Sequence, residues 1–216
     1  MTTIAVTSAT PHLFWITSRA AGIVSLVLAS LAVSIGLVMS LRMMRARRGD
    51  LLVLHEVLSL ATIVALVVHG VSLLGDSFLR PSIADIALPF DWTYQTLWTS
   101  IGIIGGWALI FLGVSYYARQ AIGASRWRKL HRFTALAWVA GVVHTLGEGT
   151  DAGQVWFLAM LAIVAVPAIL LLAVRHLTDE APRPAADPDG LQPGRVNDHE
   201  ARELPAAPRP AGPALG

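Results

Sequence analysis

A chain of 216 residues that is 55% hydrophobic and 14% charged, with mean hydropathy +0.61, is too apolar for an ordinary soluble domain and reads as a protein whose solvent is the bilayer. The absence of cysteine excludes disulfides, thiolate metal sites, iron–sulfur clusters and the covalent attachment of a c-type heme. The pI near 9.5 does not point to nucleic acid, because the basic residues gather in short stretches between apolar runs, the signature of membrane topology.

Residues 1–12 read as a short external N-terminus. They lack the basic n-region of a signal peptide, and the apolar run that follows is too long for an h-region, so the segment is expected to stay in the mature protein. Five apolar stretches, 13–40, 51–74, 95–116, 127–147 and 154–175, are long enough at about 1.5 Å per residue to cross about 30 Å of hydrocarbon. The expected fold is an all-α, polytopic membrane helix bundle of about five transmembrane helices, spanning 13–176. Arg42, Arg45, Arg47 and Arg48 lie between the first two stretches, and Arg119, Arg126, Arg128, Lys129 and Arg132 around the junction of the third and fourth. These loops should be cytoplasmic. The alternate loops hold Asp76, Asp85, Asp91, Glu148 and Asp151 and should lie outside. The N-terminus is then outside, the C-terminus cytoplasmic, and the second and fourth spans parallel. Trp15, Trp92, Tyr94, Trp98 and Trp156 mark the outer boundary, and Tyr116, Tyr117 and Trp127 the inner one, as interfacial aromatic belts do.

From residue 177 to 216 the composition turns to Pro, Ala, Asp, Glu and Arg, with eight of the twelve prolines between Pro182 and Pro213. Such a tail buries too little apolar surface to fold. It has no G-x-G-x-x-G motif and is too short for a flavin or nicotinamide domain.

Four of the seven histidines fall inside apolar helices. His55 and His131 start their spans at the inner side, and His69 and His144 lie near the outer ends. In parallel spans they pair by depth, His55 with His131 and His69 with His144. A non-covalent heme b needs two neutral imidazoles from opposite sides of its ring in an apolar slot. Steps of 14 and 13 residues correspond to about 20 Å of rise, enough to stack two such sites. At about 100° per residue, His69 returns to within about 40° of His55, whereas His144 stands about 140° from His131. The fourth span therefore requires a tightened turn or kink, expected near Gly141.

The segments HEVLSLATIVALVVH and HRFTALAWVAGVVH, H-x13-H and H-x12-H, resemble the ferric reductase-like transmembrane domain, a superfamily of membrane cytochromes. The resemblance covers about residues 13–175 and implies two heme b groups with His55, His69, His131 and His144 as axial iron ligands, carrying electrons across the membrane. The chain departs from better-known members in having five apparent spans rather than six and no attached flavin domain. The partners implied are a separate cytoplasmic flavin or nicotinamide reductase, an electron acceptor at the outer face, and lipid.

Heme propionates need cations: Arg19 is the candidate at the outer site, and Arg126, Arg128 and Arg132 at the inner one, against a reading in which these arginines serve topology and snorkelling. Trp138 is placed to fill the gap between the rings or simply to pack. Gly105 and Gly106 suit close helix or heme approach, and Glu56 is positioned to orient His55 or to sit at the interface. Four ionisable side chains at matched depths are costly in lipid without a function. The leading expectation is a diheme b-type electron carrier in a bacterial plasma membrane. Open beside it are a ferric-chelate or dioxygen reductase working at the outer heme edge, a histidine-dependent proton or metal transporter, and a purely structural protein.

Overall fold

The computed structural model describes residues 10–180, with side chains from 13 to 178. The expected N-terminal arm and proline-rich tail therefore lie, over residues 1–9 and 181–216, outside the described residues. Helix is the only regular secondary structure among the described residues, in the order α1 (Thr10–Ser40), α2 (Arg48–Leu73), α3 (Ile83–Ala87), α4 (Thr96–Val114), α5 (Arg119–Ile122), α6 (Ala124–His131), α7 (Thr134–Glu148) and α8 (Val155–Glu180), with a 3-10 turn at Arg45–Arg47.

Four of these helices, α1, α2, α4 and α8, are long and apolar enough to cross a membrane. The molecule is an all-α membrane helix bundle. Its lipid-facing surface is visible on α2, where Val53, Val57, Val64 and Val71 are exposed, and on α8, where Ile163, Ile169, Leu170 and Leu177 are exposed. Positions spaced by three, four and seven fall on one helical stripe, and such a stripe needs hydrocarbon around it.

The fourth expected span, 127–147, is two helices rather than one, and neither is among the four long enough to cross a membrane. Between α6 and α7 the chain tightens: Phe133 N–H donates to Leu130 O at 3.0 Å and Ala135 N–H to Arg132 O at 3.3 Å, both three residues back, while Thr134 Oγ1 caps His131 O at 2.7 Å. Three-residue turns add about 20° of rotation per residue over an α-helix. The turns at Arg132 and Phe133 thus supply about 40° of the 140° that the 13-residue histidine step demands, at the point where α6 gives way to α7. The expectation of a kink near Gly141 is corrected, since α7 runs through that residue unbroken. Gly123, at φ +89°, separates α5 from α6 in a conformation that side-chain-bearing residues avoid.

α1 is the scaffold: its most extensive contact is with α2, and it also packs on α7 and α8, while α4 packs on α7. Small residues allow this closeness, Ser25, Ala29, Ser30 and Ala32 of α1 being buried. The core joins Leu26 and Ala29 to Trp138, Phe157, Leu161, Ala165 and Ala168. Ala168 is wholly buried beside Pro167, whose ring removes one backbone hydrogen bond within α8. Trp138 is 1% exposed and donates its indole N–H to Ser30 Oγ at 2.9 Å. Replacing Trp138 with Ala is expected to destabilise the bundle by about 3–5 kcal/mol. Ser30→Ala, which strands the indole N–H, should cost about 1–3 kcal/mol. Reversible unfolding in mixed micelles measures both.

Candidate functional site

The four intramembrane histidines meet in two pairs. The rings of His55 and His131 stand 6.1 Å apart between centroids at an interplanar angle of 85°, and those of His69 and His144 stand 6.5 Å apart at 72°. These are the pairs expected from depth. Each faces its own cavity: the outer one, of about 480 Å³, is lined by His69 and His144 with Gly22, Gly102, Gly106 and Gly141, and the inner one, of about 460 Å³, by His55 and His131 with Gly36 and Gly113. Ala29, Thr62 and Leu109 line both cavities and form the partition between them.

Three of the histidines are seated in the same way. The Nδ1–H of His55 donates to Ala32 O at 2.9 Å, that of His69 to Ser18 O at 2.8 Å, and that of His144 to Trp98 O at 2.9 Å. A proton engaged on Nδ1 leaves Nε2 with its lone pair, the nitrogen available to a metal. Four residues beyond each acceptor stands a glycine. A Cβ at Gly22 would come within 2.9 Å of the His69 ring, one at Gly36 within 3.3 Å of the His55 ring, and one at Gly102 would overlap the His144 ring. The absence of a side chain is what lets each imidazole reach the neighbouring backbone.

His131 is the exception. Its Nδ1 is buried with no hydrogen bond among the described residues, although the Leu112 carbonyl acts on its ring. The position four residues beyond Leu112 is Tyr116, not glycine. His131 instead stacks on Trp127, 4.8 Å between centroids.

The outer pair has further polar support. Ser18 Oγ donates to His69 O at 2.8 Å and lies 3.1 Å from His69 Nδ1. Glu148, assigned to an outer loop in the sequence, is the last residue of α7; its Oε1 accepts from Thr99 Oγ1 at 3.0 Å and its Oε2 lies 3.2 Å from His144 Nδ1.

Arg19 lines the outer cavity but is engaged by the buried Asp151 in a two-pronged ion pair, with Trp15 stacked on its guanidinium 4.9 Å away. It ties α1 to the loop before α8. Arg132 and Arg128 line the inner cavity, joined there by Arg48 and Lys129; Arg126 does not line it. Glu56 does not orient His55: its carboxylate accepts from Tyr117 OH at 3.1 Å, and His55 uses Ala32 instead. Gly105 serves helix packing, since a Cβ added there would come within 3.1 Å of Ala137 O and Ala140 Cβ, while one at Gly106 would meet nothing within 4 Å among the described residues; both glycines border the outer cavity. Trp138 borders the outer cavity from the core.

The donor set and its spacing fit a bis-imidazole iron. Two metal–nitrogen bonds of about 2 Å, each with its ring centre about 1 Å behind the nitrogen, put centroids about 6 Å apart. Among the described residues no three His, Asp or Glu side chains converge as a bare metal ion would require. Comparison of the chain with protein-family models, curated proteins and solved structures finds no match.

The glycine seats predict unequal tolerance along α4. Gly102→Val should destabilise the bundle by about 1–3 kcal/mol, because the added carbons drive into the His144 ring. Gly106→Val, where an added Cβ meets nothing within 4 Å among the described residues, should cost less. Denaturant midpoints of the two variants compare them directly.

Proposed function

We propose that this chain is a diheme b-type cytochrome of a bacterial plasma membrane, passing electrons from a cytoplasmic donor to an acceptor at the outer face. The observation that carries the reading is the pair of facing imidazole couples, 6.1 and 6.5 Å between centroids, each opening onto a cavity. Heme, when bound, supplies reversible one-electron iron chemistry at each level. The protein's part is to hold imidazole nitrogens, exclude water and separate the two levels.

His55 and His131 would hold the iron at the inner site, and His69 and His144 at the outer one. The carbonyls of Ala32, Ser18 and Trp98 fix the tautomer that leaves Nε2 free, and hydrogen bonding at Nδ1 strengthens an imidazole as a donor. Arg48 and Arg132 at the inner cavity would supply positive charge for propionates. Iron held by two histidines would offer a substrate no position, so the chemistry it would supply is electron transfer without bond making. The basic loops support the orientation, with the His55–His131 level on the cytoplasmic side. The proposed donor is a separate flavin or nicotinamide reductase.

Purified protein should carry about two hemes per chain and show low-spin b-type bands. The near-perpendicular imidazole planes predict highly anisotropic ferric signals by electron paramagnetic resonance. His55→Ala or His131→Ala should abolish the inner signal, and His69→Ala or His144→Ala the outer one. A colourless preparation from heme-sufficient cells would refute the proposal.

A further inference from the structure

The histidine whose Nδ1 makes no hydrogen bond among the described residues is the one connected to the surface. His131 stacks on Trp127 within 24° of parallel. Trp127 meets Tyr116 at 5.8 Å, and Tyr116 meets Tyr117 at 5.4 Å between centroids. Polar contacts fasten each rung. Trp127 Nε1–H donates to Ser115 Oγ at 3.1 Å, the Arg119 guanidinium lies 4.0 Å over Tyr116, and Tyr117 OH donates to Glu56. Tyr117 is 57% exposed. A continuous file of π systems therefore runs from a buried imidazole to the inner surface. Among the described residues, the other three histidines touch no aromatic ring outside their own pair.

Positive charge surrounds the outlet. Between Ser115 and Phe133 the sequence carries Arg119, Arg126, Arg128, Lys129 and Arg132 and no acidic residue. All but Arg119 are exposed. The carboxylate that touches the ladder, Glu56, is already engaged by Tyr117. Topology alone accounts for basic residues in an inner loop, and so does attraction to anionic lipid. Neither accounts for an aromatic file that ends on a proposed heme ligand within that same patch.

Resting on the diheme reading, we propose that the surface formed by α6 and the turn after α4 docks an acidic protein carrying a one-electron donor, and that the electron reaches the inner site through Trp127. One electron leaves the carrier, ferric iron at the inner site becomes ferrous, and no atom passes to this chain. Any proton released on oxidation of the carrier's flavin goes to water. Trp127 acts as a positioning residue for His131 and as the bridge. It is not itself oxidised or reduced.

The probe is an acidic flavodoxin added to the heme-loaded protein in nanodiscs of neutral phosphatidylcholine. Binding of the oxidised flavodoxin, which needs no turnover, should weaken steeply as salt rises. The triple variant Arg126→Gln, Arg128→Gln, Lys129→Gln should bind about tenfold more weakly. Trp127→Leu should leave binding unchanged, slow reduction severalfold at saturating reduced flavodoxin, and shift the inner ferric resonance signal; Trp127→Phe should restore both. Salt-independent binding, or a triple variant that binds normally, overturns the docking surface. A charge effect confined to nanodiscs containing phosphatidylglycerol identifies a lipid anchor and also overturns it. Unchanged reduction and resonance in Trp127→Leu overturn the ladder. Absence of heme defeats the diheme reading and this inference together, whereas normal heme content with salt-independent binding defeats this inference alone.

Discussion

An imidazole in hydrocarbon has two nitrogens to satisfy and, when neutral, one proton to do it with. Leaving a buried polar nitrogen without a partner costs about 1–3 kcal/mol, and the bundle holds four such rings with no water assured to help. Three of them donate Nδ1–H to a backbone carbonyl at 2.8–2.9 Å. That arrangement settles one nitrogen and leaves the other a bare acceptor. In each pair two rings face one another across a gap. In the proposed function the iron of a heme takes both lone pairs at once, which removes the remaining cost and gives the pairing its purpose.

The carbonyl that receives each proton belongs to a neighbouring helix, so the neighbour's backbone must come within reach of the ring. This requirement shapes α1 and α4. A glycine four residues past the acceptor removes the side chain that would stand where the ring lies, and Ser18 with Gly22, Ala32 with Gly36, and Trp98 with Gly102 are three copies of that device. The first two are 14 residues apart on α1, the same step that separates His55 from His69 on its neighbour α2. Two helices with the same step present matched levels, which is why α1, bearing none of the four histidines, makes the most extensive contact in the molecule.

Much of this was legible in the sequence. Hydropathy located four of the five expected spans, and depth on the helices paired the histidines, because both depend on rise per residue, which hardly varies. Rotation is less forgiving: the misfit of about 140° in the fourth span was visible in the spacing, but its resolution depends on three-residue turns at Arg132 and Phe133, and no glycine or proline marks them. The glycine seats were also readable, since Gly22 and Gly36 repeat the histidine interval. The adjacent pair Gly105 and Gly106 does not carry that interval. Glu148 and Asp151 looked like loop acids. Whether a carboxylate at a helix end turns inward to Thr99 or Arg19 is decided by tertiary packing, which leaves no local pattern.

The two levels differ because one seat is incomplete. At the outer level both rings have carbonyl acceptors, with Ser18, Thr99 and Glu148 arranged around them. At the inner level only His55 has one, and the helix break falls immediately after His131. The 13-residue step has to be reconciled somewhere along the span. Placing the tightened turn beside His131 leaves α7 regular through His144 and concentrates the distortion at the ring whose neighbour offers Tyr116 where glycine stands in the other seats. With no hydrogen bond at Nδ1 among the described residues, that ring stacks on Trp127, four residues earlier on α6. Residues that far apart on a helix lie on the same face, so a short amphipathic segment at the inner boundary both ends the polar loop and steadies the last histidine.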